Sequence, residues 1–533
     1  MLYYIKSEGK VIRVQRLQKR DAIAALALIL LVLVLGAGLL DRGHEWGDDF
    51  AAYMLQARAM ANGTMEEQSR INRIIHASEM SFGGEEIPDT ITYVWGYPLA
   101  LSGIYRAIGY NPADGGIPIA YKLPNLIGYA LFAAIVYLFY RRRFSFGISL
   151  FLSSLFALHA QMLVHANDLM SDIFCLMLSM AALLLLEVFF EEERAGRKAA
   201  AGLLLGAILW YNYEVRLNGV TVIYIVIAAH ALHLLRTRPK GREWAVQLAP
   251  YASLLALLGI SLCLLPQATG NSSHIASGPN SQILFNLRYY NDEIAHWIER
   301  MIPAFVPLRE YAYIPVYLLI AIGVVSAGIR KNLHLTALML GTFAVLFLLP
   351  YVQPLRYLFN ALPLMLLFAG YGAQALWLGI KEKLPMRAQR AMRWTGYAAM
   401  LLIAACMALD TAEQIGVHAR QGGAAYRYEA YGEDALDIYA YIRENTAEDA
   451  RIGCVKPRAL TLNTDRICFA PGINGNRYMD MHYLLAFDGV PLYDSVTQSI
   501  WPELWEELTE VYRNDSFVLY ELSENYRLTG KTE

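Results

Sequence analysis

The chain has 533 residues, of which 56% are hydrophobic and 17% are charged, and its formal net charge is −2. Soluble domains average about 25% charged residues. The apolar residues occur in blocks of about 20 residues, the length that crosses a hydrocarbon core of about 30 Å. A soluble enzyme, a DNA-binding protein and a secreted disulfide scaffold are therefore excluded as descriptions of the whole chain, and no nucleic-acid partner is expected.

The apolar blocks predict a mainly α-helical fold, a polytopic bundle of about eleven helices that cross the membrane. The first block, Ala22–Leu40, follows a basic head, which predicts a cytosolic N-terminus. Ten further spans are predicted at approximately 118–140, 145–164, 168–190, 198–215, 218–236, 244–266, 311–330, 333–350, 355–379 and 393–411. The connections that would then be cytosolic all carry lysine or arginine: Arg141–Arg143, Glu191–Lys198, Arg236–Arg242, Arg330–Asn332 and Lys381–Arg393.

Three longer regions lie on the outer side in this arrangement. The first outer loop covers about 41–117 and contains Tyr97–Tyr110, an apolar stretch too short to cross, for which an interfacial or re-entrant helix is expected. The second covers about 267–310. The predicted domains are a transmembrane catalytic domain at 1–411 and an extracytoplasmic α/β domain at 412–533, so the C-terminus lies outside.

The tail shows a helical pattern at Glu433–Asn445 and an amphipathic helical pattern at Pro502–Arg513. Strand-like runs are predicted at Arg451–Val455, Arg466–Ala470 and Phe517–Leu522. Cys454 and Cys468 lie on neighbouring predicted strands. In an oxidising compartment they could form a disulfide or remain free thiols.

Carboxylates collect at the outer ends of the spans. Asp48 and Asp49 precede a helical stretch. Their negative charges could stabilise the positive end of the helix dipole, or one of them could act as a general base or cation ligand. Asp172 lies about one turn inside an apolar run, which marks a functional-site candidate. Nearby, Asn167 or Asp168 can cap the same helix.

Two arginines, Arg216 and Arg356, also lie at outer ends of spans, against the general charge bias. The fork of donors on a guanidinium suits phosphate. Each arginine could instead reach lipid headgroups, and Arg216 could pair with Glu214. The chain has no Walker loop, HExxH or GxSxG motif, so an ATP-driven pump or a zinc protease has no support. The clusters indicate a hydroxyl activated by a carboxylate, with phosphate held by arginine.

This arrangement resembles the GT-C superfamily of membrane glycosyltransferases, which includes protein O-mannosyltransferases and bacterial lipid A aminoarabinose transferases. Members carry an acidic pair in a long first outer loop, with an aromatic residue four positions after the key aspartate, as Asp49 and Tyr53 do here. The pair is Asp-Asp where the family commonly has Asp-Glu, so either Asp48 or Asp49 fits the role. The remaining matches are Trp95–Leu99, Asp172 with Asp168, Arg216, and Arg356-Tyr357 before Pro363.

The resemblance implies a sugar donor on polyprenyl phosphate and an acceptor hydroxyl on a lipid, glycan or protein. Asp49, or Asp48, would be the catalytic base, and Arg216 and Arg356 would bind the donor phosphate. Asp172, together with Asp168 and Tyr357, would support the site or hold a divalent cation; no cofactor is otherwise required. A multi-pass protein of a bacterial plasma membrane is expected.

Three other functions share parts of this pattern. A flippase of lipid-linked sugars would have similar spans, but it predicts polar residues at mid-bilayer and paired broken helices. A membrane scaffold would leave the outer carboxylates and arginines unexplained. A glycan polymerase or ligase uses the same lipid-linked substrates and stays open on the sequence alone.

Overall fold

The computed structural model describes residues 18–80, 93–241, 243–265, 283–348, 353–420, 430–470, 481–488 and 507–523. Helices dominate up to residue 420. They are α1 (Lys19–Ala37), α2 (Asp48–Asn62), α3 (Met65–Met80), α4 (Gly96–Ile108), α5 (Leu123–Arg141), α6 (Phe146–Ala157), α7 (Ala160–His165), α8 (Ser171–Glu191), α9 (Ala195–Val215), α10 (Val220–Thr237), α11 (Glu243–Gln247), α12 (Ala249–Leu264), α13 (Ile283–Glu299), α14 (Tyr313–Gly323), α15 (Ile329–Lys331), α16 (Leu333–Leu348), α17 (Leu362–Lys381) and α18 (Met386–Arg420).

Seven helical segments in the described ranges are long and apolar enough to cross a membrane: Lys19–Ala37, Ile119–Arg141, Ser171–Glu191, Leu217–Thr237, Arg309–Gly328, Leu362–Lys381 and Met386–Arg420. Three shorter apolar helices, α6, α12 and α16, also match predicted spans. The short stretch at Tyr97–Tyr110 is helical, as predicted, up to Ile108, where α4 ends. The region 267–310, predicted as an outer loop, contains the helix α13.

The predicted single span 145–164 is wrong in one respect, because it is broken into α6 and α7. His159 begins the second piece, and its ring stacks on Trp297 at 5.3 Å. The His159 Nε2 atom lies 3.2 Å from the Trp297 carbonyl oxygen. A contact with a helix more than a hundred residues away therefore fixes a break that local apolarity does not reveal.

The helices pack closely because glycines line their contacts. A Cβ on Gly372 of α17 would lie 1.9 Å from the Leu319 carbonyl oxygen of α14. Similarly, a Cβ on Gly323 would lie 1.8 Å from the Phe368 carbonyl oxygen. Helix association in a membrane depends on such close packing, since lipid tails are as apolar as the side chains. Larger residues at these two positions would force α14 and α17 apart.

One end of the bundle holds a buried layer of ion pairs. Asp21 in the first turn of α1 accepts hydrogen bonds from Arg141 Nε at 2.8 Å and from Tyr137 OH at 2.9 Å. The next two residues along the chain, Arg142 and Arg143, pair with Glu187 of α8. Helix α1 has 19 residues and is therefore about 28 Å long, so this layer lies that far from the other end of α1.

The C-terminal region is a small mixed sheet with two helices. Its elements are α19 (Glu433–Asn445), β1 (Arg451–Gly453), α20 (Pro457–Thr464), β2 (Ile467–Phe469), β3 (Tyr483–Phe487), β4 (Leu508–Arg513) and β5 (Phe517–Leu522). The strand order is β2-β1-β3-β5-β4. Strand β1 is parallel to β2 and β3, while β5 is antiparallel to β3 and β4. The crossover between the parallel strands β1 and β2 is α20, which the sequence did not reveal.

One expectation for the tail needs correction, and one alternative that the sequence left open is decided. Leu508–Arg513, predicted as part of an amphipathic helix, is a strand. Of the remaining residues of that prediction, 502–506 lie outside the described residues. Pairing with β5, with a bulge between Glu510 and Tyr512, overrides the local pattern. Cys454 and Cys468 are buried free thiols rather than a disulfide. The strand register places Ile452, not Cys454, opposite Cys468.

Candidate functional site

The site is built on the first turn of α2. Gly47 is extended and precedes the helix, so Asp48 and Asp49 are its first two residues, where carboxylates complement the helix dipole. Successive residues on an α-helix point about 100° apart. The two carboxylates therefore contact different groups: Asp48 contacts the C-terminal region and Asp49 contacts an arginine of the helical bundle.

Asp49 lies between a tyrosine and an arginine. The Tyr93 hydroxyl donates a hydrogen bond to Asp49 Oδ1 at 2.6 Å. Arg356 Nη2 lies 3.3 Å from Asp49 Oδ2. The Asp49 side chain keeps 37% of its surface exposed. This carboxylate is thus oriented by two donors and still accessible.

Asp172 and the two arginines meet beside it. Asp172 lies in the first turn of α8 and its side chain is 4% exposed. Its Oδ2 atom is 3.0 Å from Arg216 Nη1 and 4.0 Å from Arg356 Nε. Arg216 directly follows α9, and Arg356 belongs to the short turn Leu355–Leu358. Four residues predicted as site residues from distant parts of the sequence therefore form one cluster.

Tyr357, which the sequence also singled out, supports the arginines through its ring. The Arg216 guanidinium carbon lies 4.7 Å from the ring centre and that of Arg356 lies 6.0 Å from it. A cation over an aromatic face gains about 0.5–2 kcal/mol, more where water is excluded. The ring thus holds two like charges near each other.

Further polar and aromatic residues hold the side chains of this cluster in place. The Tyr53 hydroxyl and the Ser171 Oγ atom are 2.8 Å apart, and Arg216 Nη1 donates to the same Oγ at 3.2 Å. The Tyr53 ring stacks on that of Tyr93 at 4.2 Å. Gln56 holds Tyr93 in place, because its amide donates to the Tyr93 carbonyl at 2.8 Å and accepts from the Tyr93 backbone N–H at 3.3 Å.

Sequence reasoning identified Tyr53 through its spacing from Asp49 but missed Tyr93 and Ser171. Ser171 had a usable signal, since it precedes Asp172 in the same first helical turn. Tyr93 had none, because it is 44 residues from Asp49 and depends on the backbone contact with Gln56. The matched segment Trp95–Leu99 begins α4 and brings Tyr97 edge-on to the Tyr53 ring at 5.0 Å.

Asp168 is not in this cluster. Its carboxylate pairs with His165 Nδ1 at 3.0 Å, and the next residue, Leu169, donates its N–H to His44 Nε2 at 3.1 Å. Burial lowers the pKa of His44 to about 4, which keeps the ring neutral and able to accept that hydrogen bond. Asp168 thus belongs to a contact between the first outer loop and the turn before α8.

Asp48 contacts α20 of the C-terminal region. It accepts hydrogen bonds from the backbone N–H groups of Ala459 at 3.0 Å and Arg458 at 3.3 Å. The Arg458 guanidinium lies 3.6 Å from its Oδ2 atom. Burial raises the pKa of Asp48, although the Arg458 charge and the two N–H groups act against that rise.

The cluster does not fit a divalent cation. Asp172 is paired with Arg216, and Asp49 faces Arg356, so guanidinium charges take the positions near both carboxylates. Within the described ranges, no three histidine, cysteine, aspartate or glutamate side chains gather as metal ligands would. Asp168, the other predicted support, is engaged with His165.

No family model and no curated protein matches this chain in sequence. Solved structures do match it in fold. ArnT from Cupriavidus metallidurans, in the apo state, superposes with a TM-score of 0.56 at 12% identity over 94% of this chain and 98% of ArnT. The same protein bound to undecaprenyl phosphate gives 0.55 at 12% identity over 95% and 98%.

The archaeal oligosaccharyltransferase AglB from Archaeoglobus fulgidus is also similar. Its complex with an inhibitory peptide and a dolichol-phosphate matches with a TM-score of 0.53 at 11% identity, over 95% of this chain and 75% of AglB. ArnT and AglB are membrane glycosyltransferases of the GT-C fold. The chain therefore has the fold of these two proteins, the GT-C fold that its motifs predicted. Its seven long apolar helices are those expected of a multi-pass membrane protein.

Proposed function

We propose that this protein transfers a sugar from a polyprenyl-phosphate donor to an acceptor hydroxyl at the outer face of the membrane. The acceptor class is a lipid, a glycan or a protein, and the sugar is a hexose or a pentose. One observation carries the proposal: Asp49 is an accessible carboxylate oriented 3.3 Å from Arg356, in a cluster with Arg216 and Asp172. A base and a phosphate-binding pair are what such a transfer needs.

The reaction follows from that geometry. The acceptor oxygen attacks the anomeric carbon while Asp49 accepts the hydroxyl proton. A new carbon–oxygen bond forms as the bond to the donor phosphate breaks, so the anomeric configuration inverts. The bonding electrons leave on polyprenyl phosphate. Arg216 and Arg356 stabilise the charge that grows there, and Asp172 orients both arginines.

An apolar groove supports a polyprenyl donor. It has a volume of about 470 Å³ and lies between α13, α14, α16 and α17. Its lining includes Leu287, Ile294, Val324, Phe343, Phe347 and Met365. Tyr290 also lines it, and its hydroxyl accepts the Gln353 N–H at 2.8 Å, three residues before Arg356. A prenyl tail in this groove would have its phosphate near the arginines.

The proposal includes the predicted topology. About eleven spans, a cytosolic N-terminus and an extracytoplasmic C-terminal domain in a bacterial plasma membrane would place Asp49 where lipid-linked sugars are available. Contacts between α2 and α20 support one common side for the first outer loop and the C-terminal region. Labelling of single cysteines at positions 66 and 465 in intact cells tests that arrangement.

The test of the chemistry uses the full chain, purified in detergent, with synthetic polyprenyl-phosphate sugars and a panel of acceptors. Release of polyprenyl phosphate is the readout. Asp49→Asn should lower turnover by about two to four orders of magnitude, as loss of a general base does. The matched control is Glu66→Gln, which neutralises an exposed carboxylate on α3 of the same loop.

Two results would contradict this proposal. Turnover that survives in Asp49→Asn would remove Asp49 as the base. Absence of transfer with every donor, while liposomes that contain the protein move the lipid-linked sugar between leaflets, would favour the flippase.

A further inference from the structure

The helix α20 is buried on all sides although half of its residues are polar. All eight of its residues, Pro457–Thr464, are buried. It connects β1 to β2 on one side and packs along α2 on the other. Asp48 contacts its N-terminal turn, and Arg58 of α2 pairs with Asp465, just past its end, at 2.6 Å. At 1.5 Å per residue these α2 positions are about 15 Å apart, and α20 is about 12 Å long, so the helices run side by side.

The start of α20 lacks a cap of its own. Its N-cap residue is Lys456, which makes no side-chain capping hydrogen bond, and Pro457 follows. Helix N-termini leave backbone N–H groups without partners, and Asp, Asn, Ser or Thr usually satisfies them. Here Asp48 does so from another segment, because its two oxygens accept the N–H groups of Arg458 and Ala459.

The residues before Asp48 are held by the same region. The Trp46 ring packs edge-on to Phe487 at 4.9 Å and lies 5.8 Å from Phe517. The His44 carbonyl accepts the Ala430 N–H at 3.2 Å. The chain that leads into α2 therefore contacts the C-terminal region as far as Asp48, and Asp49 is the first residue beyond these contacts.

We propose that Asp48 is a positioning residue: by capping α20 it fixes the first turn of α2 and so sets the direction in which Asp49 faces Arg356. This rests on the proposed function, in which Asp49 is the base. The two adjacent carboxylates then have separate roles. Asp48, whose oxygens are occupied by backbone donors, joins the C-terminal region to the site, and Asp49 takes the proton.

The experiment compares Asp48→Asn, Asp48→Ala and Asp49→Asn in the full chain. Asn caps helices about as well as Asp. It offers only one acceptor oxygen in place of the two that Asp48 uses here. We therefore expect Asp48→Asn to lower kcat by about threefold, while Asp48→Ala, without an acceptor, lowers kcat about tenfold with a smaller change in the KM for donor. Asp49→Asn should lose about two to four orders of magnitude in kcat.

Hydrogen exchange of the same variants reads the contact without any turnover. In Asp48→Ala the amides of Arg458 and Ala459 and of the first turn of α2 should exchange about tenfold faster. In Asp48→Asn, which keeps one of the two acceptor oxygens, they should exchange at most about threefold faster, and in Asp49→Asn they should stay near the wild-type rate. The matched control is Arg58→Gln, which breaks an exposed pair at the far end of the same helix contact and should leave kcat within about twofold.

The outcomes separate this inference from the proposed function. Asp48→Asn that is as inactive as Asp49→Asn, with unchanged exchange, would place Asp48 in the chemistry and overturn the positioning role. Asp48→Ala with unchanged exchange in α2 would overturn it as well, whether or not the protein transfers sugar. Faster exchange in both helices, without transfer from any donor by wild type, would uphold the fixing of α2 and reject only the glycosyltransferase.

Discussion

Aspartate–arginine contacts occur toward both ends of the helical bundle, and they differ in how completely the carboxylate is used. Asp21 is 0% exposed and receives hydrogen bonds from the Gln18 N–H, Tyr137 and Arg141. Asp49 is 37% exposed and receives one donor at each oxygen. The buried carboxylate of Asp21, with three donors, stabilises the fold. The partly exposed carboxylate of Asp49 can exchange one of its donors for a substrate. Accessibility, more than charge, separates the two.

The largest expected effect is a loss of stability when the buried carboxylate of Asp21 is removed. Asp21→Ala leaves the Arg141 charge buried beside Tyr137 without its carboxylate. Loss of one partner of a buried pair costs about 3–5 kcal/mol in the free energy of unfolding. Denaturant unfolding in detergent measures it, with Glu66→Gln as the exposed control. An Asp21→Ala protein as stable as wild type would show that this ion-pair layer is not structural.

At the proposed site we expect a large loss of activity with little loss of stability. Arg356→Met removes a phosphate ligand, while Asp172 keeps Arg216 and Asp49 stays exposed to water. We expect kcat/KM for donor to fall by about 10²–10³, as for loss of one transition-state donor, with a stability change of about 1 kcal/mol or less. Steady-state kinetics and unfolding of the same preparation check both values. A stability loss as large as that of Asp21→Ala, with kcat/KM unchanged, would reverse the roles of the two ends.

A smaller effect, on pH dependence, is expected at His44. Because burial lowers its pKa from 6.5 to about 4, the folded protein binds fewer protons than the unfolded chain between these values. Stability that is complete above pH 6.5 should therefore fall by about 3 kcal/mol as the pH drops to 4. Unfolding free energies measured across this range test it. The variant His44→Gln should lose this contribution to the slope, and an unchanged slope would contradict the assignment.

The smallest expected effect is on donor binding, in variants of Tyr357. Tyr357→Leu removes the ring over which both arginines lie, while Tyr357→Phe keeps it. A cation–π contact of about 0.5–2 kcal/mol corresponds to a rise of about twofold to thirtyfold in the KM for donor. Tyr357→Phe should behave like wild type in the same assay. Equal KM values for the two variants would show that the ring does not contribute to donor binding.

The sequence predicted the cluster well because each member is a charged residue at the boundary of an apolar run. Asp49, Asp172, Arg216 and Arg356 all carry that one-dimensional signal, and the structure brings them together. Asp168 carries the same signal and lies outside the cluster, since His165 is its nearer partner. The pattern finds polar residues at a membrane boundary but does not tell which of them meet.

What the sequence could not predict depends on distant partners. The strand β4 follows from pairing with β5, and the break between α6 and α7 follows from the contact of His159 with Trp297. The position of Tyr93 follows from Gln56. Local periodicity has no access to such contacts, because the energy that decides them is tertiary.

The cap of α20 by Asp48 also sets an order of events during synthesis. The two groups that form this contact, Asp48 and Ala459, are 411 residues apart. The ribosome makes α2 early, at about 5–20 residues per second, so α2 waits tens of seconds for its partner helix. Until Ala459 has been made and delivered to the same side of the membrane, the first turn of α2 has one carboxylate unoccupied. With the positioning role proposed for Asp48, the first turn of α2 would take its final orientation only after the C-terminal region has been made.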